Sequence, residues 1–463
     1  MSHHAFTNWS GLHRCKPTRS CQPRDEAELI EVLLEARRRG QIVRVVGAGH
    51  SWSDAACTDG VLINLDRMDR TLHIDERACT IRVQAGLRLK ALNARLAQAG
   101  LAMSNLGSIS EQSVAGAIST GTHGSGAAFG SLSTMVRRLR LITAEGRAID
   151  LDRDSGDLFR AACLSLGALG VITEVTLQCE PAFRLHERAF GMAFDEACET
   201  MDALVDAHEH VKLWWLPHTD RVMVYAMNRA DLPPTVGPGT GNLPRSLAER
   251  AIAGLTPPDS RPPGEGVDLV AVTDHLVNVH VFDGLLKLGG RHPALIPWVN
   301  HGVAAAYFID RERVGRSDRL FNVPMPPVHR EMEYGIPRPQ AAPTLRRLRA
   351  LIERRALRVN FIVELRFVAA DDLLLSGAFG RQSCQLGAYM AQAPDLDAYF
   401  KLFEAMALEI GGRPHWGKEF SASAEALRAC LPRLDDFNAL RRDLDPDGLF
   451  ANPFIRRIFA PTP

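Results

Sequence analysis

The sequence predicts an α+β protein of two domains, with the last stretch of chain returning to the first. Three observations lead there. At 463 residues the chain exceeds the size at which one core usually keeps growing. Its first 180 residues alternate short β-branched strands with helical patterns, an order that fits small mixed layers better than a doubly wound sheet. Composition then changes after Cys179-Glu180-Pro181, which sets the boundary between the expected domains 1–180 and 181–425, with 426–463 as the returning segment.

Each element has its own signal. Leu29, Ile30, Leu33 and Leu34 recur at helical spacing within Glu26–Arg39, the last turn is basic, and Gly40 stops the helix. Strands are expected at Ile42–Val46, Val61–Leu65 and Thr80–Val83. Leu87–Ala99 is again helical and closes at Gly100. Leu139–Thr143 and Ala148–Leu151 flank Glu145-Gly146 as a hairpin, and Val171–Gln178 is a strand. Residues 229–264, rich in Pro and Gly, read as a surface excursion. The NFIVELRF run at 360–367 belongs to a second sheet, and helix and loop return from Asp436.

Composition narrows the function. Apolar residues make up 46% and charged residues 23%, which supplies ample core. Lys plus Arg equals Asp plus Glu at 54 each, a balance that argues against nucleic-acid binding. Nine dispersed cysteines without a CxxC pair read as reduced thiols. Cys15 and Cys21 lie close, but nothing pairs with them, so no metal site is expected. The N-terminus has no apolar signal core, and no apolar run reaches bilayer length, so the expected compartment is the cytoplasm and no membrane partner is expected.

Two glycine-rich loops carry the chemistry. In VVGAGHSWSD (45–54) a strand leads into Gly47-Ala48-Gly49, whose backbone can turn sharply and approach a ligand closely. Successive N–H groups in such a turn cradle phosphates, although the third glycine of a dinucleotide fingerprint is missing. In LGSISEQSVAGAISTGTHGSG (106–126) small residues dominate. Such a stretch builds no core alone and must lie against something large or another backbone.

VVGAGHSW, GTHGSG (121–126) and GGRPHWGK (411–418) together resemble the vanillyl-alcohol-oxidase-type flavoproteins, in the branch of L-gulonolactone, arabinonolactone and alditol oxidases. NWSG near the start, GALGVITEVTLQCEP (167–181), VELRFVAADDLLLS (363–376) and LDPDGLFANPF (444–454) extend the resemblance over nearly the whole chain, most weakly at about 185–330. It implies an N-terminal PCMH-type α+β FAD domain and a substrate domain with an antiparallel sheet covered by helices. It also implies FAD contacts from Val46, Gly47, Ala48, Gly49, His50, Ser51, Trp52, Gly107, Ser108, Ser113, Gly116, Thr120, Thr122, His123, Gly124, Gly170 and Ile172. His50 stands where relatives bond the 8α-methyl of the flavin. A neutral imidazole is a competent nucleophile for such a bond.

Glu364 and Arg366, two apart in an apolar strand, project from one face, where charges are costly unless paired or used. By the residues alone a structural ion pair is the favoured reading; the resemblance turns them toward flavin and substrate, with Lys418 as third member and His415 in the wall. The implied reaction is hydride transfer from a carbinol carbon to flavin N5. Gly107 stands where dehydrogenase relatives can carry Ala, and glycine leaves the approach of O2 open. Leu386, Gly387 and Ala388 occupy a stretch where polyol-oxidising relatives have a histidine, which favours a lactone. The expectation is an aldono-1,4-lactone oxidase that forms H2O2 and an ascorbate-type product. An alditol oxidase, a dehydrogenase using another acceptor, and a flavin binder without turnover are the alternatives.

Overall fold

A computed structural model describes residues 5–232, 282–322, 327–391 and 393–460. From residue 233 onward, the Pro/Gly-rich excursion lies outside them. The first helix runs Glu26–Arg38, with Asp25 accepting the Glu28 N–H as its cap and Arg37 and Arg38 in its last turn. Beside it, the strands Arg19–Cys21, Val61–Asn64 and Val43–Val46 form a small parallel sheet with Val61–Asn64 in the middle. A second, antiparallel sheet has the order Ala148–Asp152, Val136–Ile142, Val171–Gln178, Thr80–Gln84, Thr71–Asp75. The hairpin at Glu145-Gly146 is there, with Gly146 at φ +76 and Ile142 opposite Ala148.

The second expected helix begins at Leu89, two residues late. Leu87 and Arg88 are taken up by the small-residue segment instead: Val114 donates to the Leu87 carbonyl at 2.9 Å, and Arg88 bridges Ser113. That segment also winds a short helix, Val114–Ser119, capped by the Ser113 hydroxyl.

The largest sheet has eight strands, in the order Arg311–Arg316, Arg184–Ala193, Arg221–Arg229, His210–Trp215, Val363–Val368, Ser383–Met390, Arg330–Pro337, Arg413–Pro414. Its two faces differ because side chains alternate along a strand. Leu213, Trp215, Val222, Val224, Val363, Leu365, Phe367, Leu386 and Ile336 go into one core with the helices Phe194–Ala207, Ala341–Arg354 and Leu396–Glu409. The opposite face carries Glu187, Lys212, Trp214, Tyr225, Glu364, Arg366, Gln385, Glu331 and Glu333, placed together by the strand register.

The end of the chain packs in the core of the N-terminal layers: Leu427, Phe437, Phe450, Phe454 and Ile458 share one cluster with Leu29, Val43, Ile63 and Val83. Arg44, 3% exposed, ties these parts together by donating to the carbonyls of Ala55, Leu166, Gly167 and Phe450 at 2.6–3.2 Å. All nine cysteines are free. Among the described residues no helix is long and apolar enough to cross a membrane.

Candidate active site

The charged sheet face is organised around Glu364. Its Oε1 accepts the Trp214 indole N–H at 2.6 Å and an Arg366 Nη2–H at 2.8 Å, while Oε2 accepts the Tyr389 hydroxyl at 2.7 Å. Burial opposes the charge, but Arg366, Lys212 and these donors outweigh it and hold the carboxyl at about 2, well below its ordinary range. Burial works against the Arg366 charge too, and Glu364 more than offsets it. Arg366 also donates to Ser108 Oγ at 2.6 Å, which joins the sheet to the second glycine-rich loop.

A second group lies two strands away. Glu333 Oε1 meets His123 Nε2 at 2.6 Å, and His123 Nδ1 lies 2.9 Å from its neighbour's carbonyl, Gly124 O. His123, Glu333 and His415 bring their ligand atoms within 4.8 Å of one another, a set that could hold a cation and that the His123–Glu333 contact already knits together. Glu333 is held well below the carboxylate range: burial raises it, and His123 and His415 overcome that. Burial pulls His415 down to about 4, so its ring is neutral at pH 7.

Lys418 pairs with Glu331 and sits 4.2 Å over the Trp52 ring. The sequence grouped Lys418 with Glu364 and Arg366. The structure interposes Tyr389 and Glu331, which face each other across adjacent strands, so Lys418 belongs to the neighbouring carboxylate.

The first loop closes over the same region. The Trp52 amide donates to Gly417 O at 2.7 Å, Ser53 Oγ to Trp416 O at 3.0 Å, and Trp52 Nε1 to His329 O at 2.8 Å. Trp9 stacks on His50 with centroids 5.7 Å apart. His50 Nδ1 is buried and has no hydrogen-bond partner, and burial pulls the ring's pKa below its ordinary value. An orphaned, neutral ring nitrogen is expensive unless a ligand meets it.

The glycines are tight where the loops meet. A Cβ on Gly47 would lie 2.1 Å from Ser113 Oγ, and one on Gly124 would lie 2.0 Å from Asn105 Oδ1. Gly107 is less constrained, with Thr122 Cγ2 at 3.1 Å and His123 O at 3.3 Å from such a Cβ. Gly116 donates to Ser113, Thr120 Oγ1 to the Gly116 carbonyl, and Gln112 to Thr122. Gly170 and Ile172 stand further back: Gly170 has φ +150, and Ile172 pairs with Leu141 inside the antiparallel sheet. Val46 ends its strand, and Ala48, Gly49 and Ser51 follow in the loop, where the Ser51 carbonyl accepts Asn8 Nδ2. Lys212, Trp214, Tyr389, Glu331 and Glu333 were not among the sequence-derived candidates.

Residues 17–152 match the FAD binding domain family, and residues 175–458 match the D-arabinono-1,4-lactone oxidase family. The chain belongs to this lactone-oxidising family of FAD proteins. An L-gulono-1,4-lactone dehydrogenase of Mycobacterium tuberculosis is 35% identical over 98% of this chain and 99% of its own length. The L-gulonolactone oxidase of Bos taurus is 32% identical over 98% of both chains. Among solved structures, the cholesterol oxidase of B. sterolicum matches with a TM-score of 0.78 at 16% identity, covering 98% of this chain and 96% of that one. That likeness concerns the fold, the VAO/PCMH type expected from the sequence. For the family's cofactor, the residues here fit: two glycine turns that exclude a Cβ, and in the first loop a buried ring nitrogen of His50 without a partner.

Proposed function

We propose that the chain oxidises the C2 carbinol of an aldono-1,4-lactone to a ketone, with O2 as electron acceptor and His50 covalently bonded to its flavin. The observation that carries the reading is the Glu364 carboxylate, kept ionised by Arg366 on the charged sheet face and bonded through Arg366 to Ser108 of the cofactor loop. FAD, when bound, supplies the hydride acceptor. Residues 46–52, 107–108, 113, 116, 120, 122–124, 170 and 172 are those proposed to hold it.

The hydrogen-bond inventory says what the protein groups can do for a sugar lactone. Glu364 Oε2 accepts only from Tyr389, so a lone pair remains for a substrate hydroxyl. Ser108 Oγ accepts from Arg366, which leaves its own proton to donate. Arg366 uses Nη2 for Ser108 and Glu364. Glu364 is a weak base at rest, yet a carbinol losing hydride becomes strongly acidic, so proton transfer to Glu364 runs downhill as the C–H bond breaks. In the balance, the carbinol gives up a hydride and a proton, and two electrons and two protons reduce O2 to H2O2. The 2-keto lactone then enolises to an ascorbate-type product.

A lactone suits this site better than an open polyol. Gly387 stands opposite Glu364 and Glu333, and a Cβ there would meet the Tyr389 ring at 2.8 Å. Tyr389 thus takes the space a longer side chain would need.

A second reading, a dehydrogenase passing electrons to a partner other than O2, is favoured by the name of the M. tuberculosis relative. The deciding experiment is H2O2 formation in air by purified holoprotein, with gulono-, galactono- and arabinonolactone beside xylitol and sorbitol. Peroxide with the lactones alone supports the proposal. Dye reduction by a lactone without peroxide establishes the second reading, and peroxide with polyols alone refutes the lactone assignment.

A further inference from the structure

Several cations on the charged face of the eight-stranded sheet have carboxylate partners. Arg366 pairs with Glu364 at 2.8 Å, Arg313 with Glu187 at 2.6 Å, and Lys418 with Glu331. Lys212 differs. It is 6% exposed, lies directly opposite Arg366 on one side and Tyr225 on the other, and shares the face of Glu364. Its ammonium rests 4.9 Å from the Trp214 ring centroid and 4.7 Å from that of Tyr225. Among the described residues it has neither a carboxylate nor a hydrogen-bond acceptor.

Two aromatic faces offset part of the cost of burying an ammonium, but they leave its three N–H donors unused. A buried ammonium with no carboxylate in contact is unfavourable unless something else meets it, because Glu364 and Glu187 act on it only through space. On the side of Tyr225, the Arg311 guanidinium lies 5.7 Å from the same ring, and the paired Glu187 and Arg313 act on Lys212 through space.

We propose that Lys212 is the anion-binding arm of the substrate site, and that the site takes the carboxylate of an open-chain sugar acid as well as a neutral lactone. The inference rests on the proposed function in one respect, the polyhydroxy skeleton held at Glu364 and Arg366. Hydrolysis of a lactone ring leaves a carboxylate next to the C2 carbinol. An aldonate with its C2 hydroxyl on Glu364 would therefore bring that carboxylate toward the adjacent cations of the face. It binds as a competitor of the lactone.

The proposal has a pH signature. Burial, then Arg366, pull Lys212 down to about 8, against the opposing pull of Glu364 and Glu187, so it is charged at neutral pH. The other groups around it keep their charge near that pH. Glu364 is ionised, Arg366 stays cationic, Tyr225 is pushed up by burial, and His210 on the same strand is neutral because burial pulls it to about 4. An anion that needs protonated Lys212 therefore binds fully below about 8 and about tenfold more weakly for each pH unit above it.

The test is titration of the holoprotein with sodium gluconate, read from the visible absorption of its flavin without turnover. Saturable binding is expected, weakening above pH 8. Lys212→Met should bind gluconate about tenfold or more weakly, the loss of a charge-assisted contact. Lys212→Arg should keep binding and lose the step near pH 8. Equal binding by Lys212→Met, an unchanged pH profile in Lys212→Arg, or no saturable binding by the wild type would each overturn the proposal. If Lys212→Met fails to retain flavin, the Lys212→Arg profile decides alone. Lactone turnover is read separately. Lys212-dependent gluconate binding without any lactone turnover would sink the lactone reading and leave this one standing.

Discussion

Replacing Arg366 by Met keeps much of the side chain's length and removes its charge from the side of Glu364. The fall of Glu364 from the ordinary 4.5 to about 2 corresponds to about 3 kcal/mol in favour of the ionised form, won against burial. With Arg366 gone, Lys212 and the Trp214 and Tyr389 donors remain, while burial still favours the neutral acid. Glu364 should then titrate well above its present position. The sign follows from that. In the wild type the carboxylate is ionised throughout the accessible range, so lactone-driven flavin reduction is flat with respect to this group. In Arg366→Met the rate should climb with pH as Glu364 ionises. Above that step the rate should stay below wild type by about 100-fold or more, the usual cost of losing a preorganised charge at a reacting oxygen. Stability should change in the same sense: the pair's contribution in the wild type is present above the unfolded carboxylate pKa and is lost as pH falls toward 2. The assay is anaerobic stopped-flow bleaching of the bound flavin by a saturating lactone from acid to alkaline pH. A flat profile in Arg366→Met, with a rate near that of the wild type, would refute the reasoning.

Three more perturbations separate the parts of the site. His50→Ala should bind FAD that acid precipitation releases, whereas wild-type precipitate should stay yellow; colourless wild-type precipitate would refute the linkage. Gly107→Ala should leave anaerobic reduction by lactone near wild type and slow reoxidation by O2 about tenfold or more, a barrier change of about 1.4 kcal/mol; unchanged reoxidation would remove Gly107 from the O2 path. Gly47→Ala should lose most of its flavin, because its Cβ would sit 2.1 Å from Ser113 Oγ. Adding Ser113→Ala should restore part of the flavin content at a cost of about 1 kcal/mol from the lost helix cap, seen as a lower melting temperature. Full flavin in the single variant would show that the loop yields.

How much of this was legible in the sequence depended on how far apart the partners lie. Glu364 and Arg366 could be read because both stand on one strand, and two charges two apart in an apolar run must share a face. The same argument applies to Glu331 and Glu333, which alternate with the apolar Met332 and Tyr334, and to Lys212 in HVKLWW. It was available and was not extended to them. No local pattern reveals Tyr389 as a ligand of Glu364, since that contact comes from strand order. The sequence placed Lys418 with Glu364 and Arg366, but its partner in the structure, Glu331, was not legible. The neighbour of Glu364 in sequence is Arg366, whereas the neighbour of Lys418 in space is a residue 87 positions earlier in the chain, Glu331. Helix limits failed by two residues at Leu87 for a similar reason, because its carbonyl is claimed by Val114.

The eight-stranded sheet explains why an acid and several cations can stand so near the middle of the molecule. Its apolar face is closed by three helices, which bury one side of the sheet in a core of its own. That leaves alternate positions free to carry charge, provided each charge finds a partner from an adjacent strand or an adjoining loop. Glu364 finds Trp214 and Tyr389 on the strands to either side, and Arg366 along its own; Glu331 finds Lys418, and Glu333 finds His123. Two of these partners, His123 and Lys418, come from loops rather than from the sheet, as does Ser108 on Arg366. Folding of the second glycine-rich loop and the 411–418 segment onto the sheet is therefore the same event as satisfying its buried charges. Misplacing one loop would leave a carboxylate or guanidinium unmatched, a far larger penalty than the loop's few apolar contacts would suggest. The geometry of the reacting groups is held by that electrostatic closure, and Lys212, which finds no such partner among the described residues, marks the place where a ligand's charge completes it.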